Sequence, residues 1–381
     1  MRAPFFTVLI DTYNYGEYIE EAVSSALAQD FPVEQREILV VDDGSTDDTQ
    51  ERLRKFGEAI RYLRKPNGGQ ASAFNFGFEH ARGEVMALLD ADDVWLPRKL
   101  RQVHEEFERH PEAGMVYHRV HLWNGTHEIS GDTYFVPISG RVPENRRALL
   151  QYPMMATSCL AFRREALQKL LPIPESLRFQ ADAYLTALVI FVAPVAAVPE
   201  VLGKYRLHGA NLFQTNEERV SRSQVEHRMT TRETLLGEIE NWLQKHGQDT
   251  DSPDIRDYLK QWTKAQEGDG FSLRAPGRWK YFRHLLDFPR TYGEVMTPRH
   301  WAYSYVRAFA ALFLGYHHLH VLDDVRMKRK RLFGSSAEKN VAVEKEKALI
   351  LLELDEFERE MASRSECDDD TPWCWTRLTC R

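Results

Sequence analysis

Residues 85–95 read Val-Met-Ala-Leu-Leu-Asp-Ala-Asp-Asp-Val-Trp, an uncharged run followed directly by three carboxylates. An apolar run of this length is typical of a strand buried on both faces of a parallel sheet. Alternate side chains of an extended segment point to one side, so Asp90 and Asp92 share a side. Such a pair suits Mg²⁺ or Mn²⁺, which prefer oxygen ligands. The segment predicts a metal site, with a solvated turn as the competing interpretation.

The sequence around this segment alternates short apolar runs with stretches of helical periodicity. The apolar runs are 5–10, 37–41 and 60–63, and the helical stretches are 17–29, 46–56 and 71–81. This alternation favours an α/β fold whose mostly parallel sheet is covered by helices on both faces. In such sheets, ligands bind beyond the carboxyl ends of the strands.

Two other predicted strands also end in polar side chains. Asp11-Thr12-Tyr13-Asn14 follows the first strand, and Asp42-Asp43 follows the second. The aspartates can accept hydrogen bonds from a base or a ribose, and Tyr13 offers a ring for stacking. Each segment has a competing interpretation. After the second strand it is a turn at Asp43-Gly44 in which Ser45 or Thr46 caps the next helix, and after the first strand it is a tight turn with Tyr13 as a core aromatic.

The loop Asn67-Gly68-Gly69-Gln70 precedes the third predicted helix. Its backbone N–H groups either approach a phosphate at the helix start or form an ordinary turn. The chain contains neither a Gly-x-x-x-x-Gly-Lys-Ser/Thr segment nor a Gly-x-Gly-x-x-Gly segment, which counts against P-loop and dinucleotide enzymes.

Composition and charge narrow the possible classes of protein. The 381 residues are 43% hydrophobic and 28% charged, which is typical of a folded soluble protein. The net charge of -7 disfavours a nucleic-acid binder. The longest uncharged stretch, 183–199, is shorter than the ~20 apolar residues of a membrane helix. We therefore expect a cytoplasmic protein without a transmembrane span.

Five segments, in this order and spacing, resemble the family 2 glycosyltransferases of the GT-A fold. The resemblance is strong over residues 4–110 and weaker to about residue 212. The segments are Asp11 to Asn14, Val40 to Asp47, Asn67 to Asn75, Ala81 to Glu84 and Leu89 to Trp95. The resemblance implies inverting transfer of a sugar from a nucleoside-diphosphate sugar, by default a UDP-sugar, to an acceptor hydroxyl, assisted by Mg²⁺ or Mn²⁺.

The resemblance also implies roles for particular residues. Asp92 is the expected metal ligand, and His208 resembles a family histidine that completes the metal or diphosphate site. Phe74 stands where family members often have arginine, so we expect no phosphate hydrogen bond there. The residues expected to contact the nucleotide are Asp11, Thr12, Tyr13, Asp43, Gln70 and Asp90.

A general base must accept the proton of the acceptor hydroxyl as it attacks the anomeric carbon. By resemblance the base is Asp182, although Ala181 stands where the family often has glutamate. The competing interpretation makes Asp182 only the N-cap of the following helix. Glu175 is the alternative base.

Beyond the resemblance, the chain divides by composition. We expect a GT-A domain over 1–212, a helical C-terminal extension over 213–366 and a tail over 367–381. Residues 335–364 predict a helix whose apolar face is suited to pairing subunits. The aromatic stretch 301–322 and the basic run 326–331 indicate either a core helix with a solvated turn or contact with the inner face of a membrane.

Several alternatives remain open from the sequence. The acceptor can be a glycan, a glycolipid or a protein. A sugar nucleotidyltransferase would need a basic Gly-rich loop after the first strand, but residues 11–16 contain no Lys or Arg. A non-catalytic nucleotide-sugar-binding or scaffolding protein would bind the donor without turning it over.

Overall fold

The computed structural model describes residues 3–126, 128–130, 137–142, 144, 155–208, 211, 221–292, 296 and 298–333. The chain divides into two compact units, Met1–His317 and His318–Arg381. All strands and all the site residues belong to the first unit. The boundary expected at residue 212, the helix expected over 335–364 and the tail over 367–381 lie outside the described residues and stay predictions.

The first unit is built on a mixed, mostly parallel sheet. Its strands are β1 (Phe6–Thr12), β2 (Arg36–Asp42), β3 (Arg61–Arg64), β4 (Val85–Asp90), β5 (Val94–Trp95), β6 (Met115–Trp123), β7 (Glu128–Ser130), β8 (Leu160–Arg163) and β9 (Val195–Arg206). Their order is β3-β2-β1-β4-β8-β6-β9-β5, with β7 beside β6. Strands β1 to β4 pair in parallel, as do β6 and β9. Strand β8 is antiparallel to both neighbours, and β5 is antiparallel to β9.

Helices cover the sheet and form most of the described region after residue 220. They are α1 (Gly16–Leu27), α2 (Thr49–Leu53), α3 (Gln70–His80), α4 (Lys99–Arg109), α5 (Arg164–Leu167), α6 (Ala181–Val192), α7 (Arg222–Lys245), α8 (Pro253–Leu273), α9 (Arg278–Tyr292) and α10 (Pro298–Phe333). The helical backbone of α10 is interrupted at Gly315. Among the described residues, none of these helices combines the length and apolar character needed to cross a bilayer.

The central strands are apolar throughout because both faces of the sheet are buried. Leu9 and Leu88 belong to one apolar cluster, which includes Phe74 and other residues of α3. Val8 and Leu89 belong to a second cluster with residues of α1 and α4. Successive strand residues point to opposite faces, so an uninterrupted apolar run supplies both clusters. This confirms the α/β sheet expected from the sequence.

Two local expectations were wrong. The second helix starts at Thr49, not near Thr46, because residues 45–48 hold the loop after β1. In that loop the Asn14 side-chain carbonyl accepts from Thr46 N, and Asp47 accepts from Gly16 N. The same helix ends at Leu53, not near residue 56, since Arg54–Ala59 form 3-10 turns interrupted at Gly57.

The loop before α3 packs tightly on the segment before α6. The backbone N–H of Gln70 donates to the carbonyl of Arg178 at 2.9 Å, and Gln70 Oε1 accepts from Ala181 N at 3.0 Å. Gly69 has φ +88, and a Cβ there would lie 2.6 Å from the Arg178 Cα. Only glycine allows both this backbone conformation and this approach.

We expect Gly69→Ala to lower the free energy of unfolding by about 3 kcal/mol, from the left-handed φ and from overpacking against Arg178. The matched control is Gly247→Ala, at φ +70 with open space around the Cβ position. The control should lose only about 1 kcal/mol, because it has the φ penalty alone. Urea denaturation measures both losses, and equal losses would show that the contact with residue 178 has no cost.

Candidate functional site

A cleft of about 510 Å³ opens at the carboxyl ends of β1 and β4. Eight of the nine residues predicted from the sequence line it, and the ninth, His208, contacts one of them. The eight are Asp11, Thr12, Tyr13, Asp43, Gln70, Asp90, Asp92 and Asp182. The structure thus gathers side chains that are up to 171 positions apart in the sequence, from Asp11 to Asp182, into one concave surface.

Carboxylates crowd at the floor of this cleft. Ligand oxygens of Asp90, Asp92 and Asp93 all lie within 4.8 Å of one another. Asp11 is the neighbour of Asp90 across the β1–β4 pair. Burial, and then the adjacent carboxylates, raise the pKa of Asp11 to about 7 and the pKa of Asp90 well above its usual value. The floor therefore resists full ionisation without a cation.

The donor set of this cluster fits a hard divalent cation. Asp11 Oδ1 is buried and accepts no hydrogen bond from any described residue. Carboxylate oxygens are the ligands that Mg²⁺ and Mn²⁺ prefer. The Arg206 guanidinium hydrogen-bonds other groups than these side-chain carboxylates: its Nε donates to the Asp92 backbone carbonyl at 2.7 Å, and its Nη2 pairs with Glu21.

Asp92 and His208, the two predicted metal residues, lie side by side. His208 Nε2 is 2.8 Å from Asp92 Oδ2. The imidazole stacks on the Tyr18 ring at 5.0 Å and meets the edge of Tyr15 at 5.9 Å. The segment just after β9 thus brings an imidazole nitrogen to the carboxylates at the end of β4.

Asp182 lies in the first turn of α6 and lines the cleft. The N-cap of α6 is Gln180, with φ 63, so Asp182 does not fill the capping position of the competing interpretation. Burial raises the pKa of Asp182, and the Thr157 hydroxyl donates to its Oδ2 at 3.1 Å. Glu175, the alternative base, lines a different cavity of about 620 Å³.

The loop before α3 differs from its phosphate-binding interpretation. The Asp43 carboxylate accepts hydrogen bonds from the backbone N–H groups of Gly68 and Gly69, at 2.9 and 2.7 Å. Asp43 also accepts from Lys65 Nζ at 2.7 Å. The N–H groups considered for a phosphate are therefore already bonded, and the loop uses them to fix Asp43 at the edge of the cleft.

The predicted family is shown by comparison with known proteins. The family model described as "Glycosyl transferase family 2" matches residues 7–171. An uncharacterised glycosyltransferase of Rickettsia typhi is 31% identical over 218 residues, which cover 56% of this chain and 67% of that protein. The chain belongs to glycosyl transferase family 2. This confirms the family and the enzyme class expected from the sequence.

Another relative is also named a glycosyltransferase, and solved structures share the fold. An uncharacterised glycosyltransferase of Nostoc sp. is 36% identical over 54% of this chain, and the match covers 65% of that protein, just under two thirds. S. aureus TarS, solved with UDP-GlcNAc, has TM-score 0.54 and 18% identity, over 85% of this chain and 92% of that chain. A Pyrobaculum calidifontis mannosyltransferase, solved with GDP-Man and Mn²⁺, has TM-score 0.50 and 18% identity over 88% and 89%. These structural likenesses confirm the GT-A fold.

The family 2 domain also contains a support for the carboxylates that sequence reasoning missed. Ser158 Oγ accepts from Asp90 N at 3.0 Å and donates to Asp93 Oδ2 at 2.6 Å. Asp93 Oδ1 accepts from Arg206 N at 2.8 Å, so Asp93 joins β4 to the end of β9. Both Asp93 oxygens are thus bonded within the protein, which leaves Asp90 and Asp92 facing the cleft.

Beneath Ser158 lies a fully buried lysine. Lys99 Nζ donates to the Ser158 carbonyl at 3.2 Å and lies 3.2 Å from the centroid of the Trp95 ring. Burial lowers the pKa of Lys99 well below its usual value. Trp95 Nε1 donates to the same carbonyl at 2.9 Å. Nothing in the sequence indicates that this lysine is buried. The sequence therefore predicted the acidic cluster but not the lysine that helps to support it.

We expect Ser158→Ala to weaken Mn²⁺-dependent nucleotide binding by about tenfold, because the change leaves two buried groups, Asp90 N–H and Asp93 Oδ2, without their partner. Calorimetric titration of UDP with Mn²⁺ present measures the affinity. The control is Ser72→Ala, whose hydroxyl lies 3.5 Å from Glu175 in the other cavity. Equal affinities of the two variants would show that Ser158 does not position the carboxylates.

Proposed function

We propose that this protein is an inverting glycosyltransferase that moves a sugar from a nucleoside-diphosphate sugar to an acceptor hydroxyl. One observation carries the proposal: Asp182 and the carboxylates Asp90 and Asp92 line the same cleft of a family 2 domain. The site therefore combines a basic carboxylate with groups suited to a diphosphate–metal complex.

The donor half of the cleft is assigned to the ends of β1, β2 and β4. Asp11 and Thr12 offer oxygens to the nucleoside, and the Tyr13 ring, 44% exposed, is available for stacking. Asp43 lines the edge of the same cleft, with its carboxylate bonded to Lys65, Gly68 and Gly69. Thr12 Oγ1 is buried and accepts or donates no hydrogen bond among the described residues, so it is available to a ligand. Gln70 reaches the same cleft, but its Oε1 is bonded to Ala181 N, which gives it a positioning role.

Asp92 and His208 would hold the metal, with Asp90 beside them. A bound Mg²⁺ or Mn²⁺ would offset the charge that develops on the leaving diphosphate. Arg206 keeps Asp92 in place by donating to its backbone carbonyl at 2.7 Å. Tyr18 holds the His208 ring by stacking on it.

Asp182 would act as the general base. Its carboxylate accepts the proton of the acceptor hydroxyl while that oxygen forms a bond to the anomeric carbon and the bond to the diphosphate breaks. Attack opposite the leaving group inverts the configuration. Burial raises the pKa of Asp182, which makes its carboxylate a stronger base, and Thr157 orients it.

For the nucleotide and the acceptor we propose only chemical classes. Among the structural neighbours, TarS was solved with UDP-GlcNAc and the archaeal mannosyltransferase with GDP-Man. UDP is our default nucleotide, and GDP or dTDP would use the same acidic residues. A glycan, a glycolipid and a protein are all compatible acceptors.

We expect Asp182→Asn to lower sugar transfer by at least about a thousandfold, because an amide cannot accept the proton. Donor binding should stay within a few-fold of the unchanged protein, since the amide keeps the shape of the side chain. Initial rates and UDP-sugar titration measure the two quantities, with Glu175→Gln as the control. Full activity of Asp182→Asn would show that Asp182 is not the general base. Donor binding without transfer or hydrolysis in the unchanged protein would instead favour a binding or scaffolding role.

The pH dependence offers a separate test. The base must be ionised, so kcat/KM should fall as pH falls through the raised pKa of Asp182, above the usual aspartate value of about 4. The Thr157 hydroxyl stabilises the charged form. Thr157→Val should therefore move the acid limb of the profile to higher pH. An unmoved limb would show that another group controls it.

A further inference from the structure

Helices α9 and α10 expose a group of large apolar side chains that glycosyl transfer does not use. We call it the α9–α10 face, and it consists of Trp279, Val306, Phe309 and Phe313. Their exposed fractions are 63%, 65%, 53% and 68%. Single exposed apolar residues are ordinary, but a cluster of this kind marks an interaction surface.

The four side chains share one side of the helix pair. Val306, Phe309 and Phe313 recur at intervals of three and four, which places them on one side of α10. The other side of α10 is buried at Ala308 and Ala311. Phe282 joins the two helices, because its ring lies 5.3 Å from that of Trp279 and 5.4 Å from that of Phe309.

A cationic cavity of about 450 Å³ lies between α8 and α9. It is lined by Lys260, Lys264, Lys280, Arg283 and Arg290, against two acids, Glu267 and Asp287. Asp287 pairs with Lys264 at 3.3 Å, and Glu267 lies 3.7 Å from His284. In the described part of the chain, no ion pair involves Lys280, Arg283 or Arg290.

Two of these cations lie beside the α9–α10 face. Arg283 and Arg290 follow Trp279 by four and eleven positions, so the three residues share one side of α9. All three side chains are exposed. Lysine and arginine beside exposed tryptophan and phenylalanine are the side chains with which helices bind the surface of a bilayer.

The local charge has the opposite sign to that of the whole chain. Residues 274–317, all in the first unit, contain seven Lys or Arg and two Asp or Glu, a net charge of +5 in a chain of net charge -7. A local excess of positive charge attracts anionic surfaces even when the protein as a whole is acidic.

We propose that the α9–α10 face docks on an anionic membrane surface. The apolar side chains enter the boundary between headgroups and acyl chains, and Lys280, Arg283 and Arg290 contact lipid phosphates. A second copy of the chain is a poorer partner, because a symmetric interface sets the same cations against each other. The sequence analysis considered a membrane contact through 301–322 and 326–331, and the proposed contact adds three cations of α9. The side chains of 326–331 lie outside the described residues.

The test is co-sedimentation of the full chain with phosphatidylcholine vesicles and with mixed phosphatidylcholine–phosphatidylglycerol vesicles. We expect binding to the mixed vesicles only, and weaker binding as salt rises, because about 0.1 M salt already limits charge interactions to roughly 10 Å. Soluble glycerol phosphate in excess should not release the protein, since it offers the phosphate without the bilayer.

Two variants separate the contributions of charge and apolar surface. The cationic variant is Lys280→Gln, Arg283→Gln and Arg290→Gln, with Arg54→Gln, Arg82→Gln and Lys169→Gln as its charge-matched control. The apolar variant is Phe309→Ser and Phe313→Ser, with Val33→Ser, 71% exposed in another region, as its control. Each variant should bind mixed vesicles at least about tenfold more weakly than its control, with unchanged melting temperature.

Three results would overturn the proposal. The first is equal binding of a variant and its control. The second concerns the oligomeric state without vesicles. A dimeric full chain that becomes monomeric only in the apolar variant would assign the face to a second copy. The third is binding of mixed vesicles only after removal of residues 334–381, which would show that the acidic segment covers the face.

Discussion

The site depends on the repulsion among carboxylates placed where apolar strands end. Asp11 and Asp90 are neighbours across the β1–β4 pair, and Asp92 and Asp93 follow within two and three residues. Burial and mutual repulsion raise the pKa of Asp11 to about 7 and also raise those of Asp90 and Asp93. A folded protein tolerates such crowding only if hydrogen bonds, protons or a cation offset it.

The carboxylates of the cluster have two different sets of partners in the surrounding structure. Ser158 and the backbone of Arg206 satisfy Asp93, so that the charge at this position is fixed within the protein. Asp92 instead meets His208, and Asp11 Oδ1 keeps an unused lone pair. The supported side of the cluster is rigid, and the side facing the cleft is left for a ligand. Lys99, whose pKa burial lowers well below its usual value, donates a hydrogen bond to the Ser158 carbonyl from beneath the cluster.

Much of this architecture could be predicted from the sequence. Apolar runs such as 85–89 identify central strands because strands buried on both faces cannot hide polar residues. The ends of those strands then identify Asp11 and Asp90. Asp182 and His208 were found by resemblance to the family, since each joins the site through tertiary structure that the sequence pattern does not reveal.

The remaining features depend on long-range contacts that no local pattern encodes. The N–H groups of Gly68 and Gly69 bind Asp43, 25 and 26 residues earlier, so the phosphate-binding interpretation of that loop was wrong. Ser158 and Lys99 support the carboxylates from a turn and a helix that composition alone does not connect with them. The face on α9 and α10 was only partly expected, because exposure on a helix is decided by what packs on its other side.

The most direct test of the central claim is a thermal-shift screen of UDP, GDP, dTDP and CDP, each with and without Mn²⁺, on the unchanged protein and on Asp92→Ala. A ligand that binds only the folded state raises the melting temperature by mass action. The account predicts a rise with one nucleotide that requires Mn²⁺ and is lost in Asp92→Ala. Equal rises with and without the metal in both proteins, or no rise with any nucleotide, would contradict a metal-assisted donor site at this cluster.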